Sequence, residues 1–496
     1  MNSVRSIAMA AIAAIAFLVA VSAVAQQVSR QAAANSEESP LTVWDLELGA
    51  HAWELPSEAY AEFACGTRGG PPSLPLHEWG DYGLCPAEPE SGLHEVYFRH
   101  DDELEYWARA KNLETHIARY QGTIAFDIPI IVSGLFDGDG FLLGIRIVSD
   151  PRTDVVTREK GVLLGDYLAS RYSDEGWACE EFPPLEGQQA YHGDFINRQC
   201  SKVEQETNLS LFLEMRYMRK SGQQAIGRDR LRTAGEFEST TVFEAALLGG
   251  IPDRNERLAA LAPPGPSEKS LRIERAHDCP GCDFHGADFK RADLSGANLA
   301  GADLSGANLH GAILQGANLE GADLSMANLN RVDAKRARFK GAVLRKAMMY
   351  GARLNSADLS DTDLRNALAR TAQLIRADLS GATAVAMDLR EGRLNDADFS
   401  GADFSWSWFH DAQLARANLA NVNLSNTRMW NVSMVNVNLS GADVRDADLF
   451  GANLRGADLS RANFTGANLS RTVLTDVVAT GANFDRAKLP PGVTLH

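Results

Sequence analysis

Residues 283–489 alternate apolar and polar positions with a period of five, and the run contains no insertion or deletion. The centre of each unit falls at a residue number ending in 4 or 9 and is nearly always Leu or Phe, as at Leu294 and Phe404. Ala stands two residues before most centres, Asp or Asn lies between them, and Ser and Gly commonly follow. This period fits neither a helix nor an ordinary strand. The pattern therefore predicts a backbone that turns once per unit, with the centre and the Ala pointing inward.

Short repeated units cannot bury an apolar face alone, so a run of them predicts a stacked solenoid. The units Ala-Asp-Leu-Ser-Gly at 292–296 and 302–306 resemble the A(D/N)LxG-like consensus of the pentapeptide-repeat family. The resemblance implies an all-β right-handed quadrilateral β-helix, in which four units form one coil and successive coils stack about 4.8 Å apart. No Pro interrupts the repeats before Pro490 and Pro491.

The first 25 residues have the pattern of a signal peptide. Arg5 precedes an apolar run from Ile7 to Ala20, and Ala23-Val24-Ala25 matches an A-x-A cleavage site. The run is short and rich in Ala for a membrane span, and no later segment reaches the length that a span requires. We therefore expect cleavage before Gln26, export to a periplasm or beyond, and no transmembrane span in the mature chain. A retained N-terminal anchor is the alternative.

Six cysteines in an exported protein favour disulfides over metal sites. Pairing of nearest neighbours predicts three bonds: Cys65–Cys85, Cys179–Cys200 and Cys279–Cys282. The spacing of the last pair also occurs in oxidoreductases. However, this pair directly precedes the first repeat and does not open a helix, which favours a structural staple for the first coil. A zinc site would need His277 and His285 as further ligands, in a spacing that matches no known zinc motif.

Composition divides the chain into five parts: a signal peptide at 1–25, a disordered segment at 26–40, a disulfide-containing α+β domain at 41–261, a linker and cap at 262–278, and the β-helix at 279–496. In the α+β domain, apolar spacing predicts helices at 101–120 and 161–171. It also predicts a hairpin of strands 128–135 and 141–148, and a strand at 207–218. No family resemblance is evident in this domain.

Candidate chemistry is sparse. Asp137 and Asp139 open a segment that resembles a calcium loop, but Phe141 occupies the next ligand position, so a plain turn is favoured. The densest set of potential ligands and proton carriers matches no hydrolase signature. It comprises His94, Glu95, His100, Asp101, Asp102 and Glu103. No nucleophile elbow, phosphate loop or dinucleotide motif occurs. We therefore predict no catalytic residue, no metal ligand and no cofactor.

The formal net charge is −17 at pH 7. Acidic and basic residues are nearly balanced within the repeats, so the excess negative charge lies mainly in the preceding domain. Some pentapeptide-repeat proteins resemble DNA in shape and acidity and shield topoisomerases. The balanced repeats and the signal peptide argue against that role here, and no nucleic-acid partner is expected.

Basic residues concentrate within about one coil, at outward positions on several sides. This basic belt consists of Arg331, Lys335, Arg336, Arg338, Lys340, Arg345, Lys346 and Arg353. Two interpretations are open: the belt contacts an acidic polymer, lipid headgroups or the acidic domain of the same chain, or it is a solvated surface balanced by nearby acids.

Wrapping the repeats at four units per coil brings large side chains together on one side, where the consensus places small or polar residues. This predicted interaction patch consists of Met348, Tyr350, Leu368, Arg370, Arg390, Trp406, Trp408, His410, Arg428, Trp430 and Phe450. Contiguous exposed apolar residues usually mark an interface, and aromatic residues with Arg are typical of binding hot spots. The patch could receive the chain's own N-terminal domain, a separate protein, or the sugar rings of an envelope polysaccharide.

The sequence as a whole predicts an exported, non-catalytic binding or scaffold protein that uses a rigid repeat rod as its interaction surface. The expected partner is another envelope protein or the chain's own N-terminal domain. The leading alternative is an envelope enzyme with its active site in residues 41–265 and the rod as a spacer. A glycan-binding rod is a further alternative.

Overall fold

The computed structural model describes residues 46–113, 123–126, 128–153, 155–205, 207–219, 237–249, 251–261 and 268–493. Backbone contacts divide the chain into two compact units. The first comprises Met1–Asp101 with Gly122–Leu258, and the second comprises Asp102–Gln121 with Ala259–His496. The predicted signal peptide at 1–25, the predicted disordered segment at 26–40 and residues 262–267 of the predicted linker lie outside the described residues.

Strands and helices occur together in the region that precedes the repeats. The strands are β1 (Tyr60–Cys65), β2 (His94–His100), β3 (Ile124–Ala125), β4 (Ile128–Phe136), β5 (Leu142–Ser149), β6 (Ala178–Glu181), β7 (Ile196–Glu204), β8 (Leu209–Met218) and β9 (Glu238–Leu247). The α-helices are α1 (Glu103–Ala110), α2 (Val155–Glu159), α3 (Leu163–Arg171), α4 (Arg254–Ala260) and α5 (Glu268–Ala276). Short 3₁₀ helices span Ser57–Ala59, Trp79–Leu84 and Lys160–Val162.

The strands of the first unit form one antiparallel sheet in the order β1-β2-β4-β5-β9-β8-β7-β6, and β3 pairs with β4. The predicted hairpin is confirmed as β4 and β5, and the predicted strand and second helix are confirmed as β8 and α3. Along β8, Leu211, Leu213 and Met215 all face the core, because alternate residues of a strand share one face. Phe98 and Phe243 are among the fully buried side chains of this core.

Helix α1 is shorter than the predicted helix at 101–120, since the chain turns at Lys111 and Asn112. Residues 114–122 lie outside the described part. The sequence assigned this whole segment to the domain at 41–261, whereas its backbone contacts group Asp102–Gln121 with the repeats. Acidic side chains at the start of α1 pair with cationic residues of the repeats, as Glu103 does with Lys290.

The repeats form a β-helix. Parallel bridges join residues 20 apart, from Asp278 and Asn298 at the start to Asn468 and Lys488 at the end. The hydrogen bonds run between successive coils, and Leu299 N–H donates to the carbonyl oxygen of Asn318 at 2.7 Å. Centres and Ala residues pack inward as predicted, and both Leu304 and Ala302 are fully buried.

The glycine that ends many units occupies a left-handed turn. Gly301 has a φ of 65°, a conformation that costs an L side chain about 1 kcal/mol or more. Several units place a larger residue in the same conformation, including Arg331 with a φ of 57° and Trp406 with a φ of 65°. The backbone turn is therefore constant, and the side chain at this position varies.

All three predicted disulfides are confirmed: Cys65–Cys85, Cys179–Cys200 and Cys279–Cys282. Cys279 stands five residues before the centre Phe284, and Cys282 stands at the Ala position of the same unit. Cys282 N–H donates to the Cys279 carbonyl oxygen, as Ala287 N–H does to that of Phe284. The bond thus joins two inward positions of the first coil, which supports the structural interpretation of this pair over the redox one.

Helix α5 leads directly into this first coil. Ala276 is fully buried in the core of the β-helix, and Ile273 packs against the same core. Within the described residues, no helix has the length and apolar character needed to cross a bilayer.

Candidate docking surface

One side of the β-helix carries the predicted interaction patch. Bridges from Met348 to Leu368 and from Trp408 to Arg428 fix the stacking of one column on this side. The column two residues further along the chain contains Lys290, His310, Asn330, Tyr350, Arg370, Arg390, His410, Trp430 and Phe450. Because the backbone ladder sets the spacing, side chains far apart in sequence become neighbours along the axis.

The first part of this side contacts residues 102–112. We call it the covered stretch, and it consists of Lys290, Arg291, Asn308, His310, Asn328, Arg331, Tyr350 and Arg370. Asp102, which precedes α1, is only 5% exposed. Its carboxylate accepts hydrogen bonds from His310 Nε2 at 2.9 Å and Arg291 Nη2 at 3.2 Å, and it also pairs with Arg331.

These donors keep the Asp102 carboxylate ionised. Burial alone would raise the pKa of Asp102, but the hydrogen bond from His310 and the charge of Arg331 hold it well below its usual value. A buried carboxylate is stable only when its oxygens are paired in this way. Asp102 therefore anchors the start of α1 to the repeats.

Glu103, the first residue of α1, adds a second polar anchor. It accepts hydrogen bonds from Lys290 Nζ at 3.1 Å, Asn308 Nδ2 at 3.0 Å and Asn328 Nδ2 at 3.3 Å. An acidic side chain in the first turn also interacts favourably with the helix dipole. The two Asn residues occupy a consensus position of the repeat, so the scaffold itself supplies part of this contact.

One turn later, Tyr106 provides an aromatic contact. Its ring centroid lies 5.9 Å from that of His310 and 5.7 Å from that of Tyr350, and the Arg331 guanidinium carbon lies 5.0 Å from it. At the end of the segment, Asn112 Oδ1 accepts a hydrogen bond from Arg370 Nη1 at 3.2 Å. Tyr350 and Arg370 of the predicted patch are thus in contact with the chain itself.

The second part of this side faces solvent. We call it the open stretch, and it consists of Arg390, Trp406, Trp408, His410, Arg428, Trp430 and Phe450. Its large side chains are exposed to an unusual degree: Trp406 by 60%, Trp408 by 41%, Trp430 by 43% and Phe450 by 37%. Met348 and Leu368, the remaining predicted patch residues, are half-buried between the two stretches. The structure therefore divides the predicted patch in two.

Cations and rings alternate in the open stretch. The guanidinium carbons of Arg390 and Arg428 lie 5.2 and 6.0 Å from the ring centroid of Trp408. The His410 ring stacks on Trp430 with centroids 4.5 Å apart. Burial lowers the pKa of His410, and the charges of Arg390 and Arg428 lower it further. Both effects disfavour the protonated form of the ring.

The basic belt is largely balanced by acids. Its ion pairs join Arg331 to Asp102, Lys335 and Arg353 to Asp333, Arg338 to Glu320, and Arg345 to Asp363. Hydrogen bonds from Arg365 and Arg345 lower the pKa of Asp363 to about 2. Arg336, Lys340 and Lys346 are exposed. Most of these contacts favour the balanced, solvated surface, whereas the pair of Arg331 and Asp102 joins the belt to a residue that the sequence assigned to the acidic domain.

Two of the potential ligands in the sheet unit, His94 and Glu95, have partners outside the predicted set. The Nδ1 atom of His94 lies 2.6 Å from the Cys85 carbonyl oxygen. Glu95 pairs at 2.8 Å with Arg146, which is 2% exposed and also binds Glu88 and Glu244. Asp102 and Glu103 belong instead to the repeat unit. The sequence-predicted set is therefore divided between two places.

The segment that resembled a calcium loop is a hydrogen-bonded turn. Asp137 Oδ1 accepts from the backbone N–H groups of Asp139 and Phe141, both at 3.0 Å. Arg254 pairs with both carboxylates at 2.6 Å. A cation supplied by the protein therefore occupies the place that a calcium ion would need.

An apolar cavity of about 280 Å³ lies in the sheet unit. Arg171, Tyr172 and Thr207 are its polar lining residues, and the remaining lining is apolar, including Ile145, Phe243 and several Leu side chains. The described lining contains no carboxylate, His or Cys.

The sequence interpretation placed Tyr350 and Arg370 in the interaction patch and Arg331 in the basic belt, but it missed the other residues of the covered stretch. Lys290 and His310 stand in the same column as Tyr350, three and two coils earlier. Tracing that column back from Tyr350 reveals these two cationic or titratable residues at positions where Ser is common. Asp102 and Glu103 lie at the start of the helix predicted at 101–120, and nothing local in the sequence indicated their partners.

Comparisons with known proteins concern the repeats. The family model described as pentapeptide repeats matches in eight copies, over residues 282–321, 327–366, 372–412, 412–451 and 452–489. This confirms the family resemblance for the C-terminal region, and the N-terminal region is not matched. No curated protein matches the chain.

Among solved structures, HetL, a pentapeptide repeat protein involved in heterocyst differentiation regulation in the cyanobacterium Nostoc sp. strain PCC 7120, is 27% identical. The match covers 46% of this chain and 97% of HetL, with a TM-score of 0.28. Trypsin-treated QnrB1, a plasmid-mediated fluoroquinolone resistance protein, is 23% identical over 38% of this chain and 88% of its own, with a TM-score of 0.24. A pentapeptide repeat protein of the Arabidopsis thaliana thylakoid lumen is 23% identical, and the match covers 32% of this chain and 74% of that protein, with a TM-score of 0.09.

Proposed function

We propose, from the premise that the region 282–489 consists of pentapeptide repeats, that this protein is a non-catalytic binding scaffold. In this proposal the repeats build a right-handed, four-sided β-helix, and the open stretch docks another protein. The observation that carries the proposal is the exposure of Trp406, Trp408 and Trp430 beside cations, at positions where the repeat consensus has small or polar residues.

Two physical arguments support docking at the open stretch. Burying one large aromatic side chain stabilises a complex by about 1.5–3 kcal/mol, and Trp with Arg is the composition most enriched in binding hot spots. The backbone ladder holds these side chains on a rigid scaffold, so little backbone entropy is lost when a partner binds. The covered stretch is a precedent on the same side, because it already holds a helix.

We also propose that the protein is exported. The signal-peptide pattern at 1–25 supports this proposal, and so do three disulfides, which persist in oxidising compartments. N-terminal sequencing of the mature protein should begin at Gln26, and fractionation should place it outside the cytoplasm. A cytoplasmic protein with an intact N-terminus would refute this part.

The docking proposal is tested by crosslinking in producing cells, followed by identification of the captured neighbours. Trp408→Ala and Trp430→Ala should remove a specific neighbour while circular dichroism of the purified variants stays unchanged. Ile313→Ala is the matched control, since Ile313 is 36% exposed on another side of the β-helix. If the double variant retains every captured protein, the open stretch is not a docking surface.

A further inference from the structure

The covered and open stretches share three side-chain types in one column, although their neighbouring columns differ. Lys290, His310 and Tyr350 correspond to Arg390, His410 and Phe450, each 100 residues later, which is five coils of 20 residues. The column therefore presents a cation, a His and an aromatic ring in the same order twice. In the covered stretch, these three residues contact Glu103, Asp102 and Tyr106 respectively.

The same ring nitrogen is buried in both His residues. Within the described residues, the Nδ1 atoms of His310 and His410 are both buried and make no hydrogen bond. For His310, the other ring nitrogen, Nε2, is the atom that contacts Asp102. We expect His410 Nε2 to be the equivalent contact atom, because the rings occupy corresponding positions of the same ladder.

Two arginines lie near His410. Arg390 and Arg428 flank Trp408, and Asp388 pairs with Arg390 at 2.6 Å. Among the described residues, Arg428 has no ion-pair partner. A carboxylate arriving from outside would therefore be attracted by the charge of Arg428.

The aromatic contact is similar but shallower. Tyr106 packs over Gly351, where an added Cβ would lie 3.9 Å from Tyr106 Cε1. Gly451 holds the corresponding place in the open stretch, whereas Trp430 replaces the smaller Asn330. An incoming ring would therefore pack against Trp430 and Phe450 rather than lie in the space above an Asn.

Building on the proposed docking function, we propose that the open stretch binds a helix of a partner protein that has the recognition elements of α1. Such a helix carries an acidic side chain at its start, which contacts His410 and Arg390, and an aromatic ring about one turn later, which packs on Trp430 and Phe450. The open stretch continues directly from the interface with α1, since Arg370 contacts both Asn112 and Glu391.

A synthetic peptide with the sequence of residues 101–113 is the probe. A staple between the exposed positions Leu104 and Lys111 would keep it helical without touching the recognition residues. Fluorescence anisotropy with the full-length mature protein should show saturable binding at one site. Replacement of His410 or Trp430 by Ala should weaken the affinity about tenfold or more, the effect typical of a hot-spot residue. Replacement of the peptide residue equivalent to Asp102 by Ala should do the same.

Ile313→Ala should leave peptide affinity unchanged. Peptide binding that is insensitive to His410→Ala and Trp430→Ala would overturn the inference, because the peptide would then occupy another site. If the peptide does not bind although Trp408→Ala and Trp430→Ala still remove a crosslinked protein, the partner is not an acidic helix and only the docking proposal survives. Binding of envelope polysaccharide fragments that depends on both Trp residues, without peptide binding, would identify a glycan site and would also overturn it.

Discussion

The covered and open stretches lie on the same side of one β-helix, yet only the first holds a segment of its own chain. The covered stretch has Arg291 and Arg331, which surround a single buried carboxylate. Five coils later, Glu391 and Asn431 stand at these positions. The difference teaches that the repeat backbone supplies a fixed set of outward positions, and that a few substitutions distinguish the stretch that holds α1 from the stretch that is exposed.

The largest expected effect comes from unfolding the coils of one stretch while those of the other stay folded. Leu299→Arg places a charge in the core at the level of the covered stretch, and Leu419→Arg does so at the level of the open stretch, since both Leu residues are fully buried. An unpaired buried charge costs several kcal/mol, and solenoid coils depend mainly on their neighbours. Hydrogen exchange should therefore show loss of protection in several coils around each substitution, with protection retained in the distant stretch.

Ser295→Arg is the control for this pair, because Ser295 is exposed in the same coil as Leu299. It should leave both stretches protected. A soluble Leu299→Arg protein with undiminished β signal and normal protection would refute the inward orientation of the centres.

The repeat pattern made the β-helix and the open stretch predictable. A period of five leaves one inward arrangement for Leu and Ala. With four units per coil, as the pentapeptide-repeat resemblance implied, deviations at outward positions such as Trp408 and Trp430 could be placed side by side without coordinates. The disulfides were predictable for a related reason, since nearest-neighbour pairing required only short loops to close.

The rest depended on contacts that no local pattern encodes. Asp102 and His310 are separated by 208 residues, and the sequence offers no way to rank this pairing against others. In β1, Glu62 has a φ of 54° and the register shifts between Ala61 and Ala64, so the alternation that identifies a strand is broken. β7 is also hard to recognise, because its sequence INRQCSKVE contains few apolar residues.

A second test removes the anchor of the covered stretch. Asp102→Ala leaves the cations around His310 without their shared carboxylate, and loss of one partner from a buried ion pair typically costs about 3–5 kcal/mol. Helix α1 should detach from the repeats, which would be seen as faster amide exchange and new protease cleavage within residues 103–113. Unchanged protection of α1 would show that Tyr106 and Glu103 suffice for docking.

Asp363→Ala is the matched control for Asp102→Ala, since Asp363 is also ion-paired and has a lowered pKa, and its ion-pair partners Arg345 and Arg365 lie in the repeats.

Lowering the pH provides an independent check on the native protein. Because the pKa of Asp102 is lowered in the folded state, its stabilising contribution is complete above its ordinary value of 3.8 and is lost only as the pH falls below it. Protection of α1 should therefore be constant from neutral pH to about pH 5 and decrease below about pH 4.

The smallest expected effect comes from Trp406, whose contributions to stability and to partner binding can be measured separately. Trp406 adopts the left-handed turn conformation with a φ of 65°, where many units have Gly. Trp406→Gly should therefore stabilise the protein by about 1 kcal/mol, because the strain on an L side chain is relieved, and should raise the melting temperature slightly. Arg461→Gly, at a φ of 60° on another side, should give a similar stabilisation without changing capture of the crosslinked partner. If Trp406→Gly raises stability and also weakens that capture, the strained Trp contributes to docking. If both variants leave the partner equally bound, Trp406 lies outside the interface, and the open stretch is confined to the residues from Trp408 onward together with Arg390.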